Sequence, residues 1–135
     1  MILVDTNVLI DVATEDPIWS DWSQLHLELA GASDELAIND VVYAELCIRA
    51  ARIEDIESIM VSTGLILARI PRAALFIAGK AFQRYRDSGG VRTGVLPDFF
   101  LGAHALAINA QLLTRDTRRY RTYFPDLTLI APTHN

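Results

Sequence analysis

The chain has 135 residues, of which 51% are hydrophobic and 21% charged, with a formal net charge of −5. This length reads as a single domain, residues 1–135, able to bury roughly 68% of its unfolded surface, so the composition excludes a disordered chain. The balance of 12 basic against 17 acidic residues excludes a broad polyanion-binding surface, and a single cysteine excludes a disulfide framework or a thiolate-rich zinc site.

Met1 to Val4 is continuously apolar, which suits a strand buried on both faces. Asp5 or Thr6 then caps a helix with Val8, Leu9 and Val12 inward. Pro17 opens a second helical segment, in which Trp22, Leu25, Leu29 and Ala30 recur at helical spacing up to about Gly31. Leu36 to Ile38 predicts a strand, and Asn39 or Asp40 caps a helix reaching about Ala51, where Cys47 reads as a small core residue. A helix over Glu54 to Ser62, with Ile56, Ile59 and Met60 inward, ends at Gly64, and Leu65 to Ile70 predicts the next strand. Pro71 starts a helix with the inner stripe Leu75, Ala78, Phe82 and Tyr85, which stops at Gly89-Gly90. After a loop to Leu96, a helix from Pro97 to Ala110 turns Phe99, Ala103, Leu106 and Ala110 to one side. Leu112 to Thr114 and Leu127 to Ile130 predict two last strands, joined by an Arg-rich, partly helical connection. No apolar run reaches about 18 residues and no charged leader with an apolar segment precedes the first strand, so the chain reads as cytoplasmic, with no membrane span. Alternating strands and helices predict a three-layer α/β domain around a mainly parallel sheet, with ligands beyond the carboxyl ends of its strands.

Four acids sit on these apolar elements: Asp5 after the first strand, Glu45 inside a helix, Asp98 at a helix start and Asp116 after Leu112-Leu113-Thr114-Arg115. Each has an ordinary reading. Asp5, Asp98 and Asp116 suit helix caps or turns, and Glu45 suits an exposed pair with Arg49 one turn on. As a set they point elsewhere. Two carboxylates about 5 Å apart repel by roughly 3 kcal/mol at an effective dielectric near 20, so convergence in one cleft requires protons or a cation. Mg²⁺ or Mn²⁺ suits such an all-oxygen site and supports hydrolysis at phosphorus. Asn7 and Thr114 supply neutral contacts to orient the carboxylates.

Eleven of the twelve basic residues are arginines, and Arg115, Arg118, Arg119 and Arg121 cluster after Asp116. Guanidinium forks match phosphate, which makes Arg115, Arg118 and Arg119 candidates for RNA contact. Trp19, Trp22, Tyr43 and Tyr85 are candidates for base stacking, although the tryptophan pair also suits a core or a partner-binding patch. His104 reads as structural, six residues beyond Asp98, and His26 and His134 lack partners at metal-ligand spacing. Asp40 reads as a helix cap, and Asp11 and Asp16 as solvated.

At these motifs the chain resembles the PIN-domain ribonucleases, and more narrowly the VapC toxins of bacterial and archaeal toxin–antitoxin pairs. Val4-Asp5-Thr6-Asn7-Val8-Leu9-Ile10-Asp11 resembles the family's first acidic motif. Ala44-Glu45-Leu46 matches the second acid, Pro97-Asp98-Phe99-Phe100-Leu101-Gly102-Ala103-His104-Ala105 the third, and Leu112-Leu113-Thr114-Arg115-Asp116 the fourth. The segment Arg118-Arg119-Tyr120 to Tyr123-Phe124-Pro125 is similar to the family's ending. The resemblance spans essentially the whole chain. It implies a three-layer α/β/α PIN-like fold with a twisted parallel sheet of about five strands. It also implies a Mg²⁺- or Mn²⁺-dependent endoribonuclease with Asp5, Glu45, Asp98 and Asp116 as metal ligands and catalytic residues. The implied partners are RNA, a small antitoxin protein and a second copy of the chain in a homodimer.

Two rivals bound this reading. A phosphatase of the haloacid-dehalogenase type needs Asp-x-Asp and a placed lysine, whereas Asn7 holds the second position and the only lysine is Lys80 in mid-helix. A catalytically silent PIN-like module that binds RNA or protein is the rival from another class. A P-loop is excluded by the absence of a Gly-rich Lys-Ser/Thr loop.

Overall fold

The computed structural model describes residues 1–92 and 94–133, so His134 lies outside the described residues. The elements follow in the order β1 (Ile2–Val4), α1 (Thr6–Ala13), α2 (Ser20–Ser33), β2 (Leu36–Asn39), α3 (Asp40–Arg49), α4 (Ile53–Thr63), β3 (Ile66–Ala68), α5 (Arg72–Asp87), α6 (Leu96–Ala107), β4 (Gln111–Leu113), α7 (Arg118–Tyr123) and β5 (Leu129–Ile130). The five strands form one sheet in the order β3-β2-β1-β4-β5, and every neighbouring pair is parallel. Helices cover both faces, giving the α/β/α sandwich that the alternating pattern predicts.

Ile2, Leu3 and Val4 are fully buried because β1 is the central strand, paired with β2 on one side and β4 on the other. The chain adds strands outward on one side of β1, then crosses back to add β4 and β5 on the other. The order therefore reverses between β1 and β4, and the carboxyl ends of these two strands diverge to leave a crevice. Asp5 follows β1, and Thr114 to Asp116 follow β4.

Several local expectations change. Helix α2 starts at Ser20 and runs past Gly31 to Ser33; its buried side chains are Ser23, Leu27 and Ala30, while Leu25 and Leu29 are exposed. Gly31 sits inside this helix because Leu36 Cδ1 would lie 3.3 Å from a Cβ there, so α2 packs closely on β2. Helix α5 buries Ala74, Ala78 and Ala81 and exposes Leu75. Small alanines allow α5 to lie along α6, and the wider rings of Phe82 and Tyr85 meet Phe99 at the helix edge, with centroids 5.8 and 5.6 Å away. Helix α6 stops at Ala107 rather than Ala110, because Asn109 adopts the left-handed conformation that ends helices (φ 55°). Cys47 is exposed rather than core.

Asn39 is the cap of α3: its side-chain oxygen accepts from the N–H groups of Val41 and Val42. Asp40 instead receives the Arg69 guanidinium and the Ile70 N–H. His104 is buried and structural, with its Nδ1 facing the Asn39 amide at 3.3 Å, and burial pushes its pKa down.

Candidate active site

Asp5 occupies the position before α1, yet its side chain makes no capping bond. Its carboxylate turns into the crevice. Oδ2 accepts from the hydroxyls of Thr114 and Tyr120, both at 2.8 Å, with the Asn7 amide at a longer 3.4 Å. These donors converge on one oxygen, and Oδ1 accepts no hydrogen bond among the described residues.

Glu45 lies in mid-α3 and makes no ion pair with Arg49 among the described residues. Its Oε1 accepts from the Thr6 hydroxyl at 2.8 Å, which ties α3 to the start of α1 and turns the carboxylate towards Asp5. Asp98 stands in the first turn of α6 without a capping bond. The Arg119 guanidinium donates to its Oδ2. Asp116 is exposed, and its backbone N–H donates to Thr114 Oγ1 at 3.1 Å, so one threonine joins the loop after β4 to Asp5.

The electrostatics show how closely these acids share one environment. Burial raises the Asp5 pKa to about 6; Asp98 and Glu45 push it further up, against the hydrogen bonds from Thr114 and Tyr120. Burial also raises Glu45, with Asp98 adding to the shift. Asp98 is raised by burial despite the opposing Arg119 charge, and Asp116 raises it further. Asp98 acts on both Asp5 and Glu45, Glu45 acts on Asp5, and Asp116 acts on Asp98, so the charges of the four share one crevice. The only basic side chain bonded directly to any of the four, among the described residues, is Arg119.

A divalent cation is the group this donor set calls for: hard carboxylate oxygens, short of protons and of countercharge, at a sheet's switch point. As the side chains stand, no three His, Cys, Asp or Glu groups among the described residues are gathered tightly enough to ligate one ion. Arg119 is paired with Asp98, so a cation would compete with that guanidinium for the Asp98 carboxylate. The residues fit in chemistry and need a rearrangement in geometry.

Other predicted residues distribute differently. Asn7 touches Thr114 and accepts the Arg115 N–H, both at 3.4 Å, and braces the site from its edge. Asp11 is buried rather than solvated: its carboxylate takes a forked pair from Arg115 at 2.6 and 3.1 Å and the Ser23 hydroxyl at 2.9 Å. Arg115, with its guanidinium also 5.5 Å from the Trp19 ring centroid, is therefore a clamp between the β4 loop, α1 and α2, and not a free phosphate ligand. Asp16 binds the Ile18 and Trp19 N–H groups, which lower its pKa. Trp22 stacks on His26 with centroids 4.2 Å apart. Arg118 is exposed beside Asp116, and Arg119 serves Asp98.

Thr6, read only as a helix cap, and Tyr120, read only as part of the family's ending, were not site candidates from the sequence. Thr6 sits between two residues that were, and Tyr120 lies one helical turn beyond Asp116. Gly102 explains how Tyr120 arrives: a Cβ there would fall 2.6 Å from the Phe124 ring and 3.2 Å from Tyr120, so only glycine lets α7 close on α6.

Comparison with known proteins agrees with this architecture. The VapBC2 complex of Rickettsia felis bound to a promoter DNA fragment contains a similar chain, at 23% identity and TM-score 0.74 over 98% of this chain and 100% of that one. A toxin–antitoxin complex from Klebsiella pneumoniae gives 22% identity and 0.71, covering both chains completely. VapBC-1 of nontypeable Haemophilus influenzae gives 22% and 0.70, covering 97% and 98%. At these identities the likeness is one of fold. No curated protein sequence matches the chain. The PIN domain family model matches residues 2–125, and with the parallel sheet and the acids at its switch point the chain belongs to the PIN-domain family.

Proposed function

We propose that this protein is a metal-dependent endoribonuclease and the toxin of a VapC-type toxin–antitoxin pair. The observation that carries the reading is the electrostatic coupling of Asp5, Glu45, Asp98 and Asp116 around a buried carboxylate with a pKa of about 6. A structural role would not favour three raised carboxylates in one crevice. Asp5, Glu45, Asp98 and Asp116 would hold Mg²⁺ or Mn²⁺, which would supply the missing positive charge and the activation of a water for attack at the scissile phosphodiester. Thr114 and Tyr120 fix Asp5 through Oδ2, and Thr6 fixes Glu45 through Oε1, which leaves Oδ1 and Oε2 without a donor among the described residues. Hydrolysis adds water across one P–O bond of RNA, leaving a phosphate on one fragment and a hydroxyl on the other.

The antitoxin reading is supported by the fold shared with chains of toxin–antitoxin complexes. A groove of about 500 Å³ between α1, α3 and α4, lined by Ile10, Ala13, Leu46, Ala50, Ile56 and Ile59, gives an apolar antitoxin segment a seat. A homodimer belongs to the same proposal.

One observation favours the silent-module reading: the Arg119–Asp98 pair already neutralises one of the four acids. Two measurements separate the readings. Purified protein freed of antitoxin is incubated with RNA and Mg²⁺ or Mn²⁺, and cleavage is expected to fall by at least about 100-fold in Asp5→Ala and to stop on chelation. Undiminished cleavage by Asp5→Ala, or cleavage that survives exhaustive chelation, refutes the mechanism. Failure to bind Mn²⁺ at all supports the silent module.

A further inference from the structure

We propose that the pocket beyond Asp116 is a subsite for a backbone phosphate of the RNA strand flanking the cut, and that Arg92 and Arg118 are its ligands. The inference rests on the nuclease reading and extends it from the reacting phosphate to a neighbouring one. The pocket encloses about 450 Å³, within the usual range for small-ligand sites, between Arg92, Arg118, Arg119, Asp116, Tyr85 and Tyr123.

The charge inventory identifies what it takes. Arg119 is committed to Asp98. The side chains of Arg92 and Arg118 make no ion pair or hydrogen bond among the described residues; only their backbones are engaged. Two free guanidiniums therefore face one carboxylate, Asp116, in a protein whose net charge is −5. A chain this acidic has no diffuse basic surface to hold a polyanion, so phosphate contact has to be local. A lone small anion gains little next to Asp116 and the acid crevice. A polynucleotide gains more, because one phosphate meets the cation-requiring acids while the next in series meets the two forks.

The pocket is also built rather than incidental. The Arg92 N–H donates to the Tyr85 hydroxyl at 3.0 Å, which ties the loop after α5 to the pocket wall. A Cβ at Gly90 would fall 2.4 Å from the Tyr85 ring, so the loop can lie on that ring only because residue 90 is glycine. This removes Tyr85 as a stacking platform: Gly90 covers it, and Phe82, Phe99 and Tyr123 pack around it. The wall thus offers ring edges and hydroxyls, not an open aromatic face. It reads the strand's backbone, and its contribution is the same whatever the base.

The test measures binding apart from cleavage. In an Asp5→Asn background with Mg²⁺, a short fluorescein-labelled oligouridylate and an oligoadenylate are titrated by anisotropy from about 50 to 200 mM salt. Arg92→Gln with Arg118→Gln is expected to weaken both oligonucleotides at least about tenfold at the lowest salt. The slope of log affinity against log salt should fall by about 0.7, the value for one lost phosphate contact on a single strand. Arg72→Gln, about 20 Å from Tyr85 along α5, is the control and should change affinity less than twofold. The proposal is overturned if the double variant behaves as the control does, if Arg72→Gln loses as much, or if the loss is confined to one base. Absence of oligonucleotide binding in the background protein overturns it too. Cleavage by the wild-type protein is scored separately, so an arginine effect without cleavage keeps the subsite and rejects the nuclease, and the converse result does the opposite.

Discussion

Replacing Asp5 with asparagine is expected to stabilise the metal-free protein. The side chain is only 6% exposed, and its pKa rises from 3.8 to about 6 on folding. A carboxyl whose folded pKa is raised is best tolerated when protonated, so its contribution is most favourable below pH 3.8 and is lost as pH rises through 6. The difference of about two units corresponds to about 3 kcal/mol of penalty at neutral pH, at 1.36 kcal/mol per unit. Asparagine keeps an oxygen for Thr114 and Tyr120 but forfeits the charge-assisted part of those bonds, so a net gain of about 1–3 kcal/mol is expected. In a domain of this size that is a rise of roughly 4–10 °C in Tm. The assay is thermal unfolding in EDTA at pH 7.5 and at pH 4.5. The gap between variant and wild type should be large at pH 7.5 and shrink towards pH 4.5, where the folded wild-type carboxyl is protonated. Adding Mn²⁺ should raise the wild-type Tm and narrow the gap again. A variant no more stable than wild type at pH 7.5, or a gap equal at both pH values, refutes the assignment of Asp5 as a buried, electrostatically burdened acid.

Arg119→Gln should free Asp98 for a cation. The ion pair is partly exposed and worth on the order of 1 kcal/mol, so Mn²⁺ binding measured by calorimetry should tighten about fivefold. Unchanged or weaker Mn²⁺ affinity shows instead that Arg119 does not compete for the site. Arg115→Ala should cost about 3 kcal/mol in urea unfolding, because it strands the buried Asp11 carboxylate with Ser23 as its remaining partner. Arg115→Lys should recover only part, since an ammonium cannot reproduce the forked contact. RNA affinity of the folded Arg115→Lys protein should stay within about twofold of wild type. A loss as large as that of Arg118→Gln returns Arg115 to the RNA-binding set.

How much of this was legible in the sequence depends on which force decided each residue. The strands and the order of acids were readable because burial on both faces of a parallel sheet demands continuous apolar runs, as in Ile2-Leu3-Val4, and because Asp5 follows such a run directly and Asp116 comes three residues after Leu113. Helix faces were read less well. Spacing alone put Leu25, Leu29 and Leu75 inward, but α2 and α5 bury Ser23, Ala74 and Ala81 instead. Close helix packing selects small residues, and a hydrophobic stripe does not announce them. The arginine cluster was the hardest to resolve, since Arg115, Arg118 and Arg119 are one chemical type with three fates. Asp11 takes the first, Asp98 takes the third, and the second has no side-chain partner among the described residues. Those partners lie 104 and 21 residues away in the chain, beyond the reach of local pattern.

The position of Asp5 also shows how the fold tolerates a destabilising acid. Ile2, Leu3 and Val4, immediately before it, are at most 1% exposed, and each contributes about 1.5–3 kcal/mol on burial. Their sum is at least about 5 kcal/mol, which exceeds the penalty of about 3 kcal/mol that Asp5 carries at neutral pH. The acid is attached to the strand least able to yield, held by pairing on both edges. Asp116 shows the opposite solution, lying exposed on a loop tethered through Thr114. The crevice thus combines one strongly desolvated carboxylate with an exposed one, and the Thr114 hydroxyl bonds to the Asp5 carboxylate and to the backbone of Asp116. On the proposed function, a cation entering from the Asp116 side would meet the easily approached acid first and the costly one last, and its stabilisation would be greatest where the folded chain is most burdened.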